Sequence, residues 1–538
     1  MKLAELIISE ARERGLRHFF GLPGGGAPLD MIEAGRRLDV NFVSVAHESS
    51  AALMAAYYGH MKDTAGIAMS IKGIGAANLA AGAANAYFER MPVVCLCETS
   101  PVSVTQPEMV QHCDHKGLFD AVVKFQATLS VSEVAQTIHQ AFYMANEGRP
   151  GPVLVNLPSN IALSDCGPTQ VVATENPIEN PDAEALKKLG HRIKIAKRPV
   201  IIAGYDVIRA GASEVFQRLV ENIEAAVLVT MEARGVISEM HPRWGGVVIG
   251  NNGPHTVEAA VFEKADFIFV VGADGMMTEN PWNVGIPACE LAARSDYESY
   301  SLAPEIRVNG DLKKSLGSLL ELQQEGFSKA EISNIHHNNS SYFQRPPNAC
   351  FAVQDILEIV QSRLPDNGAL FSETGAFIRL LEELWTVALP YTYFGTSGGR
   401  TMGLTIPAII GAKLAQPERP MVGIGADGSL LMRLGELELF ARMNIAVPLI
   451  IINDQALGTI KSRQKSRGMV SYGLDLHEVD FATVAKACGL NGVTVETPEQ
   501  FEKAFTAAMQ ADKTTLIDAR IDPQPYQDAF GATVGVME

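Results

Sequence analysis

The sequence has no apolar run of the about 18–20 residues needed to cross a bilayer, although 47% of its 538 residues are hydrophobic. Its seven cysteines are odd in number and form no Cys-x-x-Cys pair, which argues against a disulfide framework and a zinc site. Positive charge is also in deficit, and a net charge of −17 argues against nucleic acid as a partner. The first residues form no charged-then-apolar leader. We therefore expect a cytoplasmic protein that has neither a membrane nor a nucleic acid as its partner.

A chain of 538 residues is too long for one core. Two polar, proline-containing stretches, at about 165–185 and 326–348, are interpreted as linkers. The predicted domains accordingly span residues 1–165, 185–325 and 350–538. In each of them short apolar strands alternate with amphipathic helical stretches, a pattern typical of parallel sheets. The predicted fold class is α/β, with three doubly wound parallel-sheet domains.

Two acids in the third part of the chain each come after an apolar run. Asp427 follows residues 421–426, and Asp454 lies just beyond residues 447–452. A helical stretch separates the two runs, so both acids are predicted at carboxyl ends of parallel strands, where open α/β sheets bind ligands. Small neighbouring residues let backbone groups approach a diphosphate, and an oxygen-rich setting suits Mg²⁺. Either acid alone would indicate no more than a turn.

The pair resembles the thiamine-diphosphate signature, which reads Gly-Asp-Gly, twenty-odd residues and then Asn-Asn. Ala426 replaces the first glycine, and Asp454 replaces the second asparagine, which adds a negative charge beside the expected diphosphate. The resemblance to acetolactate-synthase-like thiamine enzymes implies a pyrimidine-binding, a central and a diphosphate-binding domain, in that order. The blocks that carry it are residues 20–25, 47–48, 82–87, 151–153, 198–204, 241–242, 397–399, 402–403 and 407–412.

The same resemblance implies thiamine diphosphate and Mg²⁺ as cofactors and assigns residues to them. Asp427, Asp454 and the backbone carbonyl of Ala456 would hold the metal. Met402 would wedge between the two cofactor rings, and the backbone carbonyl of Arg400 would accept a hydrogen bond from the exocyclic amine. The residues that would line the diphosphate are Thr374, Gly375, Ala376, Phe377, Gly428, Ser429, Gly458 and Thr459.

Glu48 follows a strand and opens a helix of small residues. From sequence alone, such an acid is more often a solvated residue that favours the helix dipole. By resemblance it is the glutamate that hydrogen-bonds the aminopyrimidine ring and activates the cofactor. In the family this glutamate faces the diphosphate domain of the partner subunit. We therefore expect a homo-oligomer of at least two subunits, with a tetramer favoured.

Residues near the reacting carbon are expected to select the substrate. Gln111 and His112 stand in the loop where pyruvate-type decarboxylases carry a His-His pair, and Gln111 matches the glutamine of acetolactate synthases. Phe119 and Lys124 keep the synthase spacing. Lys72 replaces a small residue in a loop that approaches the reacting carbon, and we expect it to bind a substrate carboxylate. Outside the family context, a loop histidine or lysine is only a solvated polar residue.

Gly25 and Ile460 stand where pyruvate-type decarboxylases use acids to protonate the product. Without those acids, the resemblance favours carboligation: decarboxylation of a 2-oxo acid and transfer of the acyl-carbanion fragment to an acceptor carbonyl. One alternative is a non-oxidative 2-oxo-acid decarboxylase or C–C lyase that releases an aldehyde. An alternative from a different class is a catalytically silent paralogue kept for binding or assembly, which the intact Glu48 and the two metal acids disfavour.

Many synthases of this type also hold a flavin in the central domain. Here residues 204–206 break the glycine run expected for it, and residues 272–276 depart from the arginine-bearing segment that flanks it. We therefore expect no FAD. Asn252 and His255 occupy the neighbouring loop and could reach the substrate instead.

Overall fold

A computed structural model of the protein describes residues 1–101, 110–167, 171–172, 176–250, 256–278, 284–300 and 303–527. Within these ranges the strands form three sheets of six strands each, and neighbouring strands run parallel. Helices alternate with the strands in all three parts of the chain. The predicted α/β fold with three parallel-sheet units is confirmed, while the exact domain boundaries stay a prediction.

The first unit begins with a helix and alternates strand and helix up to residue 158. Its strands β3 and β4, defined below, are buried along nearly their whole length, as expected for parallel strands covered on both faces. Its elements are α1 (Leu3–Glu13), β1 (His18–Gly21), α2 (Ala27–Arg37), β2 (Asn41–Ser44), α3 (Glu48–Met61), β3 (Gly66–Ser70), α4 (Ile74–Phe88), β4 (Val93–Thr99), α5 (His115–Phe119), β5 (Phe125–Thr128), α6 (Val134–Asn146) and β6 (Pro152–Pro158). The strand order is β2-β1-β3-β4-β6-β5.

The second unit has a sheet whose strands, defined below, are buried except for β12 at one edge. Its elements are α7 (Ala183–Ile195), β7 (Pro199–Ala203), α8 (Asp206–Arg209), α9 (Ser213–Asn222), β8 (Ala226–Val229), β9 (Trp244–Val247), α10 (Val257–Phe262), β10 (Phe267–Val271), β11 (Ala288–Ala292), β12 (Ile306–Asn309) and α11 (Leu312–Ser318). The strand order is β12-β11-β10-β7-β8-β9.

The stretch interpreted as the second linker contains a helix, α12 (Lys329–Ser340). The hydroxyl of Ser328 caps it by accepting a hydrogen bond from the backbone N–H of Glu331. Ile332 and Ile335 lie on its buried face. The sequence did not indicate this helix because its run of His, Asn and Ser resembles a loop, while the linker and the domain boundary there stay a prediction.

The third unit carries the strands that precede the two candidate metal acids. Its elements are α13 (Val353–Arg363), β13 (Ala369–Ser372), α14 (Ile378–Leu384), β14 (Tyr393–Phe394), α15 (Thr405–Ala415), β15 (Met421–Ala426), α16 (Asp427–Leu431), α17 (Leu437–Arg442), β16 (Pro448–Asn453), α18 (Gly458–Ser466), α19 (Phe481–Ala487), β17 (Asn491–Val495), α20 (Pro498–Ala508) and β18 (Thr515–Arg520). The strand order is β14-β13-β15-β16-β18-β17.

Small residues let three central helices pack closely. A Cβ on Gly82 of α4 would lie 2.4 Å from the carbonyl oxygen of Ser49 in α3. A Cβ on Gly411 of α15 would lie 2.2 Å from the carbonyl oxygen of Met54 in α3. Helix α3 therefore packs between α4 of its own unit and α15 of the third unit. This close packing explains why its sequence is rich in alanine. No helix in the described ranges is both long and apolar enough to cross a membrane.

Candidate active site

The two candidate metal acids meet at one edge of the third sheet. Strands β15 and β16 are neighbours in register, with Ala426 paired to Ile452. Asp427 directly follows Ala426, and Asp454 lies two residues beyond Ile452. Since the carboxyl ends of parallel strands lie on the same edge, the structure brings the two predicted acids together.

A cleft opens at this edge with a cavity volume of about 270 Å³, close to the lower end of the range of about 300–1,000 Å³ for ligand pockets. Ile460 and Tyr526 contribute to its wall. The cleft also collects every residue predicted on the diphosphate side: Thr374, Gly375, Ala376, Phe377, Arg400, Met402, Asp427, Gly428, Ser429, Asp454, Ala456, Gly458 and Thr459.

Hydrogen bonds from the backbone fix the carboxylate of Asp427. Its Oδ1 accepts from the N–H of Gly428 at 2.7 Å, and its Oδ2 accepts from the N–H of Gln455 at 2.8 Å. Burial, followed by the negative charge of Asp454, raises the pKa of Asp427 to about 7. A carboxylate that is desolvated beside a second acid is strained electrostatically, and a cation between the two would relieve that strain.

Asp454 has a tyrosine as its neighbour. Its Oδ1 accepts from the N–H of Ala456 at 3.2 Å, and its Oδ2 accepts from the hydroxyl of Tyr526. Burial raises the pKa of Asp454, and the donation from Tyr526 opposes that rise. The extra negative charge that this aspartate brings is therefore partly balanced from within the chain.

The lining fits a metal and a diphosphate. A Cβ on Gly458 would lie 2.7 Å from Oδ2 of Asp454 and 2.8 Å from the hydroxyl of Tyr526, so any side chain there would fill the space beside the acid. Among the described residues, no group of three or more His, Cys, Asp and Glu side chains could hold a metal by itself. Two carboxylates completed by a backbone carbonyl and by phosphate oxygens form the donor set that Mg²⁺ prefers.

Arg400 and Met402 reach the cleft on a turn with unusual backbone angles. Arg400 has φ of 42°, in the left-handed region, and Gly403 has φ of 71°. The guanidinium of Arg433 donates to the carbonyl oxygen of Gly403 at 3.0 Å. Met402 comes close to the metal side of the cleft, since a Cβ on Gly428 would lie 3.5 Å from its Cε.

Glu373, which is not among the residues predicted from the sequence, links three segments at this edge of the sheet by hydrogen bonds. The buried carboxylate accepts from the N–H groups of Leu404 at 2.8 Å, Thr405 at 3.2 Å and Ala426 at 3.0 Å. It therefore joins the end of β13 to the start of α15 and to the end of β15. Its sequence signal is the same as that of Asp427, an acid directly after a buried apolar strand.

Glu48 lies away from that cleft, at the first residue of α3. Its carboxylate is buried, and its Oε2 accepts from the side-chain amide of Asn78 at 3.0 Å. The His47 ring caps the helix by accepting from the N–H of Ser49. The described residues that line the cleft include none from the first unit. Within one chain, then, Glu48 does not line the cleft that holds the two acids.

Lys72, Gln111 and His112 gather around a tight turn at the start of α4. A Cβ on Gly73, whose φ is 66°, would lie 2.7 Å from the carbonyl oxygen of Gln111. Gln111 and His112 are exposed. The ammonium of Lys72 lies 3.8 Å from Oε1 of Glu98, a buried acid whose pKa is raised by burial. These predicted substrate residues thus form one group on the first unit.

Two other histidines, His115 at the start of α5 and the predicted His255, remain to be placed. His115 is buried, contacts the side chain of Asn156 at 3.1 Å and accepts from the N–H of Gly73 at 3.3 Å. Burial lowers its pKa, so it shapes the turn as a neutral ring and does not face open space. Asn252 and His255 lie outside the described residues.

Three family models match successive parts of the chain. The thiamine pyrophosphate enzyme N-terminal TPP binding domain matches residues 1–118, the central domain matches 186–319, and the C-terminal TPP binding domain matches 373–519. The chain belongs to the thiamine pyrophosphate enzyme family.

Relatives of this thiamine pyrophosphate enzyme include large subunits of acetolactate synthase. That of Haemophilus influenzae is 27% identical over 97% of this chain and 95% of the relative. The large subunit of isozyme 3 from Escherichia coli is 26% identical over 96% of this chain and 94% of the relative. These likenesses place the enzyme in the acetolactate-synthase-like group of thiamine-diphosphate-dependent carboligases and decarboxylases.

The fold of this family member matches a solved structure over nearly its full length. A thiamin diphosphate-dependent enzyme isolated from Mycobacterium smegmatis superposes with a TM-score of 0.81 at 20% identity, covering 97% of this chain and 100% of the other. At that identity the likeness speaks for the three-unit architecture alone.

Proposed function

We propose that this enzyme decarboxylates a 2-oxo acid and joins the acyl fragment to an acceptor carbonyl, using thiamine diphosphate and Mg²⁺. The observation that carries the proposal is the division of the predicted residues. The residues predicted to bind the metal and the diphosphate line one cleft on the third unit, and Glu48 and the residues predicted to contact the substrate lie on the first unit.

Asp427, Asp454 and the carbonyl oxygen of Ala456 are the proposed Mg²⁺ ligands, and the glycine-rich turns around them receive the diphosphate. The bound cofactor supplies the carbon nucleophile for attack on the substrate carbonyl. The carbonyl of Arg400 orients the pyrimidine amine by accepting from it. Met402 lines the cleft and would fill the space between the two cofactor rings. These residues act by position and by charge, which a dry, preorganised cleft makes effective.

Glu48 is the proposed acid that holds a proton at the pyrimidine ring. Because it lies away from the cleft of its own chain, the proposal requires a second subunit whose first unit covers that cleft. A homo-oligomer of at least two copies follows, with a tetramer favoured. The number of copies is open to measurement by light scattering.

Lys72, Gln111 and His112 are proposed to contact the substrate. The ammonium of Lys72 is held only loosely by Glu98 at 3.8 Å, so it can turn toward a substrate carboxylate. Carboligation is favoured over simple aldehyde release because Gly25 and Ile460, the latter in the wall of the cleft, carry no acidic side chain. Neither position offers a proton to the reacting carbon. The absence of FAD stays a prediction.

One observation favours a second candidate, a non-oxidative decarboxylase or C–C lyase that releases an aldehyde. The carboxyl of Glu98 lies against the glycine turn, with Oε1 2.3 Å from the Cβ position of Gly26. Burial raises the pKa of Glu98, which favours its protonated form. Such an acid could protonate the product in place of the acid that Gly25 lacks.

The test is a screen of 2-oxo acids with the purified enzyme, thiamine diphosphate and Mg²⁺. Carbon dioxide release is followed, and the organic products are identified by mass spectrometry. Acyloin-type products with a new carbon–carbon bond support carboligation, and aldehydes support the second candidate. A protein that binds the cofactor but turns over no 2-oxo acid would refute both.

A further inference from the structure

Residues 396–402, called the Met402 loop below, have a strained backbone conformation where they line the cleft. Arg400 adopts φ of 42°, a conformation that few non-glycine residues adopt. Such strain persists only where the surroundings fix the backbone. Some contacts lie within the loop, where the hydroxyl of Thr396 accepts from the N–H of Thr401 at 3.2 Å, and further contacts come from another unit of the chain.

The carboxylate of Glu89, at the end of α4, holds the Met402 loop. Its Oε1 accepts from the hydroxyl of Thr396 at 2.5 Å and from the N–H of Gly399 at 2.9 Å. Its Oε2 accepts from the N–H of Ser397 at 2.9 Å. One turn earlier in α4, the side-chain amide of Asn85 donates to the hydroxyl of Thr401 at 2.6 Å. The first unit thus forms hydrogen bonds with four residues of the loop, all of which precede Met402.

The close approach of α4 leaves no room for a side chain on two glycines of the loop. A Cβ on Gly399 would lie 2.9 Å from both the amide nitrogen of Asn85 and Oε1 of Glu89. A Cβ on Gly398 would lie 2.4 Å from the carbonyl oxygen of Phe88. The two glycines are therefore required by close approach to the end of the helix.

The buried carboxylate of Glu89 has a high desolvation cost for a residue whose only role would be to link two units of the chain. It is 8% exposed, and burial raises its pKa in spite of the donors around it. A neutral side chain could have joined the units at lower desolvation cost. A carboxylate is suited to this position because its two oxygens can accept from several N–H and O–H donors of one loop at once.

We propose that Glu89 is a positioning residue for the cofactor: it fixes the Met402 loop so that the Arg400 carbonyl and the Met402 side chain face the cleft. The inference rests on the proposed function, in which those two groups contact the ring end of thiamine diphosphate. A role of Glu89 in positioning can be told apart from a general loss of stability. Binding of the ring end of the cofactor should depend on Glu89, and binding of the diphosphate end should not.

Calorimetric titration of the full-length protein with two probes tests this. Mg²⁺ with thiamine diphosphate reports on both ends of the cofactor, and Mg²⁺ with inorganic pyrophosphate reports on the diphosphate end alone. We expect Glu89→Ala to weaken thiamine diphosphate binding by about 10- to 100-fold. Pyrophosphate binding should stay within about twofold. Glu89→Gln, which keeps one accepting oxygen, should fall between Glu89→Ala and the wild type.

Glu290→Gln is the matched control. Glu290 is an equally buried carboxylate that accepts from the N–H of Tyr300 at 3.1 Å, in the second unit and away from the cleft. Its substitution should leave both affinities within about twofold of wild type. If Glu89→Ala does not fold, Thr396→Val, which removes one donor to Glu89 and the acceptor of the Thr401 N–H, should still weaken thiamine diphosphate binding and spare pyrophosphate.

The outcomes separate the inference from the proposed function. Equal weakening of both probes in the Glu89 variants, or no weakening of either, overturns the inference and leaves the proposed function standing. A wild-type protein that binds neither probe overturns the proposed function and, with it, the inference. Selective loss of thiamine diphosphate affinity, together with a kcat that falls more than KM rises, supports both.

Discussion

The hydroxyl of Tyr526 donates a hydrogen bond to Oδ2 of Asp454. Asp454 stands where the thiamine-diphosphate signature has an asparagine. The tyrosine is buried, lines the cleft and lies beyond the last strand of the third sheet. The aspartate therefore keeps its other oxygen, Oδ1, in contact with the backbone N–H of Ala456 and has a fixed orientation. A donor of this kind beside a metal ligand orients the ligand and tunes its charge.

Replacing Tyr526 with Phe should weaken Mg²⁺ binding. The loss of a partner to a metal ligand typically lowers metal affinity by about 10- to 100-fold. Titration calorimetry of Mg²⁺ in the presence of pyrophosphate measures the change. Tyr472→Phe is the control, because Tyr472 is 85% exposed and lies outside the cleft. An affinity for Mg²⁺ that is the same in both variants would refute a supporting role for Tyr526.

Replacing Asp427 with Asn should stabilise the cofactor-free protein and abolish its response to the cofactor. Burial and the charge of Asp454 raise the pKa of Asp427 to about 7, so at about pH 8 the ionised acid opposes folding. Its removal should raise the Tm of the cofactor-free protein by about 2–4 °C. Thermal melts with and without Mg²⁺ and thiamine diphosphate give both quantities. A lower Tm, with the cofactor-dependent shift retained, would contradict this role for Asp427.

The edge of the third sheet could be predicted from sequence because the relevant signals are local. Asp427 and Asp454 each follow an uninterrupted apolar run, and parallel strands bring such positions to one edge. Glu373 carries the same signal after β13 and could have been found by the same reasoning.

Contacts between residues far apart in the sequence could not be predicted. Tyr526 reaches Asp454 from beyond β18, and nothing near position 526 marks it as a neighbour of the two candidate metal acids. Glu89 reaches the Met402 loop from another unit, through packing that depends on the whole assembly of α3, α4 and α15. Helix α12 was missed for the opposite reason, since its polar composition resembles a loop.

His60 should make the protein less stable in mild acid. Burial, followed by the charge of Arg209, lowers the pKa of His60 to about 4, whereas an unfolded chain protonates histidine at about pH 6.5. Between those values the unfolded state binds more protons, so the free energy of unfolding falls as pH falls. Above about pH 6.5 the residue contributes no pH dependence.

Phenylalanine at position 60 keeps a ring against Tyr391 and Phe394 but cannot bind a proton. In His60→Phe the loss of unfolding free energy between about pH 7 and about pH 5 should be smaller by about 1–2 kcal/mol. Urea denaturation at the two pH values measures it. His191→Gln, at an exposed position, is the control. His18, whose pKa is also lowered to about 4 by burial, accounts for part of the slope that remains.

Replacing Lys72 with Met should raise the KM for the 2-oxo acid with little effect on kcat. The ammonium is proposed to bind the substrate carboxylate, and removing a charge-assisted contact typically weakens binding by about 10-fold or more. Initial-rate kinetics on the best substrate of the screen give both constants. Lys62→Met removes the same charge from an exposed position at the end of α3 and should leave KM unchanged.

A kcat that falls while KM stays constant would instead assign Lys72 to the reacting centre, because an interaction made only in the transition state lowers kcat and kcat/KM together. Kinetics identical to those of Lys62→Met would exclude Lys72 from the active site.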